Sequence, residues 1–310
     1  MQTILETRGL TKKYGNKAVV NNISMHIDRG EVYGFIGRNG AGKTTFMRLV
    51  LGLALPDAGE ISLFGGESRK SAGQKIGSIV EAPALYTNCS AYENLKRFST
   101  LINYNRRGAQ KREINEDQMI HELIDIVGLT DAAKKKAGHY SLGMKQRLGL
   151  AIAMLGEPEF LVLDEPVNGL DPAGIKEIRD AINNLKQAKG VTFLISSHLL
   201  DELSKIVTKY GIINDGYLVE EVRASDLDRM SSRSVTVVVD DPAKAVEIIS
   251  GLVPREDISV VEHAVNISCH NVPVPSAELN RRLVSAGVSV SALHNKSVSV
   301  EDYFIERMGR

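Results

Sequence analysis

The segment EVYGFIGRNGAGKTTFMRLVLGL, Glu31–Leu53, changes character halfway along. Its first part, EVYGFIG, is an apolar run of the kind that forms a buried strand, and from Lys43 onward its apolar residues are spaced as on a helix. Between them GRNGAGKT, Gly37–Thr44, fits the pattern G-x-x-x-x-G-K-[ST] in the strand-then-helix setting that a phosphate-binding loop needs. Backbone N–H groups turned inward at Gly37, Asn39, Gly40, Ala41 and Gly42 make a nest for anions. The following helix adds roughly half a positive charge at its N-terminus. Lys43 is expected to reach the outer phosphates, Thr44 to hold Mg²⁺ through its hydroxyl, and Thr45 to assist the phosphate contacts.

Working outward, EFLVLDE (Glu159–Glu165) and GVTFLISS (Gly190–Ser197) repeat the alternation of apolar strand and following helix, the pattern of an α/β parallel sheet. FLVLDEP, Phe160–Pro166, ends in two carboxylates. Alone, such a pair reads as a loop start or helix cap. Beside a phosphate loop, Asp164 is placed to take Mg²⁺ through water, since a hard cation prefers oxygen ligands, and Glu165 to orient or deprotonate an attacking water. These parts describe phosphoryl transfer governed by positioning and electrostatics, and they predict a nucleoside triphosphatase without saying what it drives.

With 310 residues and roughly 150 per domain, about two domains are expected. The texture changes after Ala224, and the boundary is placed near Ser225, giving a nucleotide-binding domain over 1–224 and an accessory domain over 225–310. The second part reads as strand, helix, two strands, helix, strand, a small α+β sandwich, followed by a last helix in SVEDYFIERM. Lys plus Arg equals Asp plus Glu at 38 each, with 43% hydrophobic and 25% charged residues, which argues against disorder and against a polycationic nucleic-acid coat. No nucleic-acid partner is expected. No apolar stretch approaches the ~18 to 20 uncharged residues of a membrane helix, and the MQTILETR start lacks a secretory signature, so a cytoplasmic chain is expected. Cys89 and Cys269 read as free thiols.

Three further segments complete an ordered set: YSLGMKQRLGLA (Tyr140–Ala151), NGLD (Asn168–Asp171) and SSH (Ser196–His198). From about residue 3 to 221 the chain thereby resembles the nucleotide-binding subunit of an ATP-binding cassette transporter. The resemblance implies a P-loop NTPase core with a parallel sheet, an antiparallel β subdomain, and a helical subdomain over about 82–157. It also implies ATP and Mg²⁺ as ligands and a head-to-tail homodimer that encloses each ATP between the phosphate loop of one copy and the signature segment of the other. Carried over by position, Ser141 and Gly143 would contact the opposite copy's γ-phosphate, Asp171 would couple the two sites, His198 would bind the γ-phosphate in its own site, and Tyr14 would stack on adenine. Read singly, His198 is more often a helix-cap histidine and Tyr14 a half-buried strand residue. Glu81 stands where the family generally has a glutamine, with a carboxylate able to orient Mg²⁺ or water, and Leu142 stands where glycine is common. Both departures resemble the bacitracin-resistance and lantibiotic-immunity exporters.

That resemblance implies separate transmembrane permease subunits, which would dock a short helix in a groove bordered by Pro83, Leu85 and Tyr86 and hold the chain on the inner face of the membrane. The alternatives are an exporter of another substrate and a soluble, non-transport cassette ATPase of translation or repair. The latter usually carries two cassettes or a long coiled coil, and neither occurs here. A metabolite kinase leaves the signature segment and His198 unaccounted for. Residues 105–118 and Lys134–Lys136 read as solvated charge, and His263, His270 and His294 as structural or solvated. A dimer-supporting, regulatory or stabilising role is expected of the C-terminal part.

Overall fold

The computed structural model describes residues 2–105, 115–198, 204–230, 233–269, 276–297 and 303–304. Contacts divide the chain into two compact units, Met1–Ala224 and Ser225–Arg310.

In the first unit, β1 (Thr3–Tyr14) and β2 (Lys17–Asp28) form an antiparallel hairpin, and β4 (Ala58–Leu63) joins it in the order β2-β1-β4. A second, six-stranded sheet contains β3 (Val32–Ile36), β5 (Ile76–Ile79), β6 (Phe160–Leu163), β7 (Thr192–Ser197), β8 (Lys209–Asn214) and β9 (Tyr217–Arg223), in the order β5-β6-β7-β3-β8-β9. All its pairings are parallel except β8 with β9. Every residue of β3, β6 and β7 is buried, as expected of parallel strands covered on both faces. From β3 the chain crosses to the far edge at β5, returns through β6 and β7 to lie beside β3, then continues on the other side at β8. This reversal creates a switch point beyond the carboxyl ends of β3 and β7, where open α/β sheets bind ligands.

Helix α1 (Lys43–Val50) follows β3 and packs Phe46 on Phe35, with ring centroids 4.8 Å apart. It stops short of Leu53 because the N–H groups of Leu53 and Ala54 both close back on the Arg48 carbonyl. After the short α2 (Arg69–Gly73), the chain between β5 and β6 is helical: α3 (Ala91–Asn105), α4 (Glu116–Ile126) and α5 (Leu142–Met154), joined in the described residues by two 3₁₀ turns. Residues 106–114 of the expected charged connection lie outside the described residues. Helix α6 (Pro172–Lys189) leads from β6 to β7, with proline in its first turn and Gly190 as its left-handed C-cap. Helix α7 (Ala224–Met230) follows β9.

In the second unit, β10 (Arg233–Val239), α8 (Pro242–Ile249), β11 (Ile258–Val261), β12 (Ala264–Cys269), α9 (Ser276–Ser285) and β13 (Val290–Ser297) build an antiparallel sheet ordered β11-β12-β10-β13. Val235, Val237 and Val239 sit on one face by the two-residue period of a strand and pack with Ala245, Val246 and Ile249 of α8 and Leu279 and Leu283 of α9. The last helix of the sequence reading lies almost wholly outside the described residues. Its two described residues, 303–304, are helical, and Phe304 is buried. His263 and His294 are exposed; His270 lies outside the described residues.

Candidate active site

The loop after β3 closes tightly on its surroundings. A Cβ on Gly37 would lie 2.4 Å from the Ile213 carbonyl oxygen, and one on Gly42 would lie 2.3 Å from that of Val19. Gly42 also has φ 109°, so the residue that caps α1 must do without a side chain. No side chain caps α1, and its first turn holds no acid, so its leading N–H groups face outward with their partial positive charge uncancelled. The turn between β8 and β9 braces the loop from behind: Gly216 N–H donates to the Ala41 carbonyl, while the Gly216 carbonyl accepts from Asn21 of β2. Val19, Asn39, Gly40, Gly42, Lys43, Thr44, Thr45 and Glu165 line the resulting cavity of about 190 Å³. Larger hollows exist, including one of about 1040 Å³ beside α3 and α4, but Lys43, Thr44 and Glu165 line the small one.

Lys43 is buried and donates to the carbonyls of Gly37 (2.6 Å) and Arg38 (3.3 Å). Its Nζ also stands 3.1 Å from Glu165 Oε1. That contact is an ion pair without hydrogen-bond alignment, because Oε1 accepts no hydrogen bond although it is buried. The other carboxylate oxygen, Oε2, lies 2.7 Å from His198 Nδ1. An ionised carboxylate only accepts, so this contact calls for the proton on Nδ1 and leaves Nε2 free to face a ligand.

Asp164 continues β6 by donating its N–H to the Ile79 carbonyl, and its Oδ1 accepts the Ser196 hydroxyl at 2.6 Å. Glu165 departs from the strand at φ 48°, a left-handed conformation uncommon for a residue with a side chain. This turn carries its carboxylate away from β6 to Lys43 and His198.

The structure thus brings Lys43, Asp164, Glu165 and His198 together around the loop. The other candidates lie elsewhere or hold local contacts. Tyr14 ends β1 with its ring 53% exposed and Lys12 Nζ 5.6 Å from its centre. Glu81, at φ 69°, turns its exposed carboxylate to Arg48 at the end of α1 and does not line the cavity. Ser141 caps α5 by accepting from Met144 N–H, and Asp171 caps α6 by accepting from Gly174 N–H. Ser141 and Leu142 are exposed, whereas Gly143 is buried against α6, a Cβ there meeting Gly174 Cα at 3.6 Å. Pro83 packs closely on Gly149 of α5, Leu85 is half-buried, and the exposed Tyr86 stacks on Phe98 with centroids 5.5 Å apart. Sequence reasoning gave no role to Ser196, to Gly216, or to Arg48 as the partner of Glu81. Pairing β6 against β7 in register would have exposed the first.

A nest at the end of a central parallel strand, with a lysine inside it and a carboxylate pair from a nearby strand, defines a P-loop nucleoside triphosphatase. Residues 20–168 match the ABC transporter family model. The chain is 40% identical over 312 residues to the bacitracin transport ATP-binding protein BcrA of Bacillus licheniformis, covering 100% of this chain and 98% of that one. It is 41% identical over 218 residues to the lantibiotic transport ATP-binding protein SrtF of Streptococcus pyogenes, 70% of this chain and 90% of the other. Among solved structures it is similar to an ATP-binding cassette of an ABC transporter in its ADP conformation, with TM-score 0.62 and 25% identity over 72% of this chain and 92% of that one. The chain belongs to the ABC transporter ATP-binding proteins. It is the subunit that binds and hydrolyses ATP to power transport, and a transporter of this kind has transmembrane partners.

Proposed function

We propose that the transport this chain powers is export of antimicrobial peptides of the bacitracin or lantibiotic type. Similarity to the bacitracin transport ATP-binding protein extends over the whole chain, including residues 225–310, and supports this reading. No helix among the described residues is long and apolar enough to cross a membrane, so the chain would work from the inner membrane face through separate permease subunits. The C-terminal unit would support the pairing of two such chains or regulate it.

The observation that carries the chemistry is the buried Glu165 Oε1, an acceptor without a hydrogen bond at the mouth of the phosphate loop. A water placed between it and the γ-phosphate would give its proton to Oε1 as its oxygen bonds to phosphorus. The bond from phosphorus to the β-phosphate oxygen would break, leaving ADP and inorganic phosphate. Lys43 would exchange its contact with Glu165 for the phosphate oxygens, and His198 would hold Glu165 through Nδ1–H, with Nε2 able to donate to a γ-phosphate oxygen only when it too carries a proton.

The Thr44 hydroxyl, which lines the loop cavity, and the Asp164 carboxylate, next to Glu165 in the chain, are hard donors that would suit Mg²⁺, because this ion takes few protein ligands and completes its shell with phosphate and water. When bound it would neutralise charge on the β- and γ-phosphate oxygens. Glu81 would act on the site only indirectly, since its carboxylate is engaged by Arg48. Tyr14 would offer its exposed ring to adenine.

Two copies would enclose the nucleotide, each lending its Ser141 end to the other. The apolar Leu142, 47% exposed beside Ser141, would be covered in that arrangement, and Gly143 and Asp171 would stand behind it. The test is co-purification from detergent-extracted membranes, followed by ATP turnover with bacitracin, a lantibiotic and no peptide. An attached integral membrane protein and peptide-stimulated turnover are expected. Recovery with ribosomes, or stimulation only by unrelated substrates, would overturn the reading.

A further inference from the structure

We infer that Ser196 is a positioning residue for ATP hydrolysis, which holds the Asp164 carboxylate and the Glu165 backbone amide through one hydroxyl; the inference rests on the roles given above to Asp164 and Glu165. The β6–β7 ladder ends at Leu163 paired with Ile195, while β7 goes on pairing with β3 through Phe35 and Ser196 and then Ile36 and Ser197. Ser196 is therefore anchored by its backbone on one side. On the other side β6 has just diverged, which would leave the Glu165 N–H without a strand partner.

The Ser196 side chain fills that gap twice over. Its Oγ accepts the Glu165 N–H at 2.8 Å and donates its proton to Asp164 Oδ1 at 2.6 Å. A hydroxyl can accept and donate from one atom, and because Ser196 is fully buried no solvent takes over either bond if it is removed. The donated bond commits one oxygen of the Asp164 carboxylate to β7 and so restricts the rotation of the carboxylate. The accepted bond holds the amide of the left-handed residue, whose φ of 48° sends the Glu165 side chain to Lys43. His198, two residues beyond Ser196, meets the other end of the same glutamate. The end of β7 thus grips Glu165 by its amide and by its carboxylate.

The test compares Ser196→Ala, Ser196→Thr and Thr192→Val in the full-length chain. Thr192 lies on the same strand, is fully buried, and its hydroxyl accepts the Gly30 N–H at 2.9 Å, so its loss matches the structural damage without touching the site. Turnover is read as kcat and KM. Nucleotide affinity is read by calorimetry with Mg²⁺ and with EDTA, and hydrogen exchange is followed over residues 160–168. Ser196→Ala is expected to lower kcat about 10- to 100-fold, the scale of a displacement near 1 Å at a reacting group, with KM little changed. It should also shrink the gain in affinity that Mg²⁺ confers, and speed exchange in the 160–168 segment. Ser196→Thr should restore most of both, and Thr192→Val should keep wild-type turnover and the wild-type Mg²⁺ gain. If Ser196→Ala does not fold, Ser196→Cys, close in size and a weak donor, carries the same comparison. A Ser196 variant with wild-type kcat and Mg²⁺ gain, or a Thr192→Val protein that loses as much, overturns the inference while leaving the site intact. A wild-type chain that shows no turnover overturns the roles of Asp164 and Glu165 themselves.

Discussion

Replacing Glu165 by Gln keeps the size and planarity of the side chain and removes its basicity. The carboxylate has one contact with Lys43 at 3.1 Å and one with His198 at 2.7 Å. In the amide, the carbonyl oxygen must take the Lys43 side, because an NH₂ group there would face an ammonium. The NH₂ then faces His198 Nδ1, and the imidazole must move its proton to Nε2 to accept it. What is lost is the base for the attacking water, together with the carboxylate that held the imidazole proton on Nδ1; the proton moved to Nε2 can still be donated to a γ-phosphate oxygen. A positioned acid–base group is worth about 10² to 10⁴ in rate, or roughly 2.7 to 5.4 kcal/mol in the barrier. Lys43, Thr44 and the loop amides are untouched, so ATP affinity should stay within a few-fold. Phosphate release under saturating ATP measures the first, calorimetry the second, and gel filtration with ATP should capture the paired chains that cannot hydrolyse. Unimpaired steady-state turnover would remove Glu165 from its role, and a strict monomer at high protein and ATP would count against the enclosed dimer.

Gly42→Ala should abolish nucleotide binding and lower the melting temperature, since its Cβ would sit 2.3 Å from the Val19 carbonyl at φ 109°; wild-type affinity by calorimetry would contradict the described loop. Asp171→Ala should lose the cap of α6 and about 1 kcal/mol of stability in urea, and no change would mean that the capping bond contributes nothing. Lys96 pairs with Glu116 and Asp117, and these hydrogen bonds hold both carboxyls below their ordinary values of 4.5 and 3.8. Folded-state values lowered in this way give stability that is present above the unfolded values and fades as pH falls through the folded ones. Lys96→Met should therefore lower the neutral plateau of the melting temperature slightly, because exposed pairs contribute little, and leave the most acidic values unchanged, so that the acid limb becomes shallower. An identical acid limb in the variant would refute the assignment.

The core was legible because its signals are local. The apolar run before Gly37, the glycines of the loop and the carboxylates after Leu163 each announce a strand end in a few residues. Motif order suggested that Lys43, Glu165 and His198 each serve one phosphate site, but their contacts with one another depend on strand pairing across residues far apart in the chain. Ser196 shows the limit: it reads as one more residue of an apolar strand, and its task emerges only when the end of the β6–β7 ladder is known. Glu81 shows another. Its charge suggested a metal or water contact, yet a residue 33 positions earlier, Arg48, takes up the carboxylate. Nothing local in IGSIVEAPALY points to that arginine.

That same pair gives the phosphate-loop helix two working ends. At about 1.5 Å per residue, the eight residues of α1 make a rigid strut near 12 Å long, with the lysine of the nest at one tip and Arg48 near the other. The arginine clasps the loop that leads into the helical layer, through a solvent-exposed ion pair that ordinary salt weakens. A clasp so exposed ties the two layers only lightly, and a neutral glutamine in place of Glu81 would bring no charge to it.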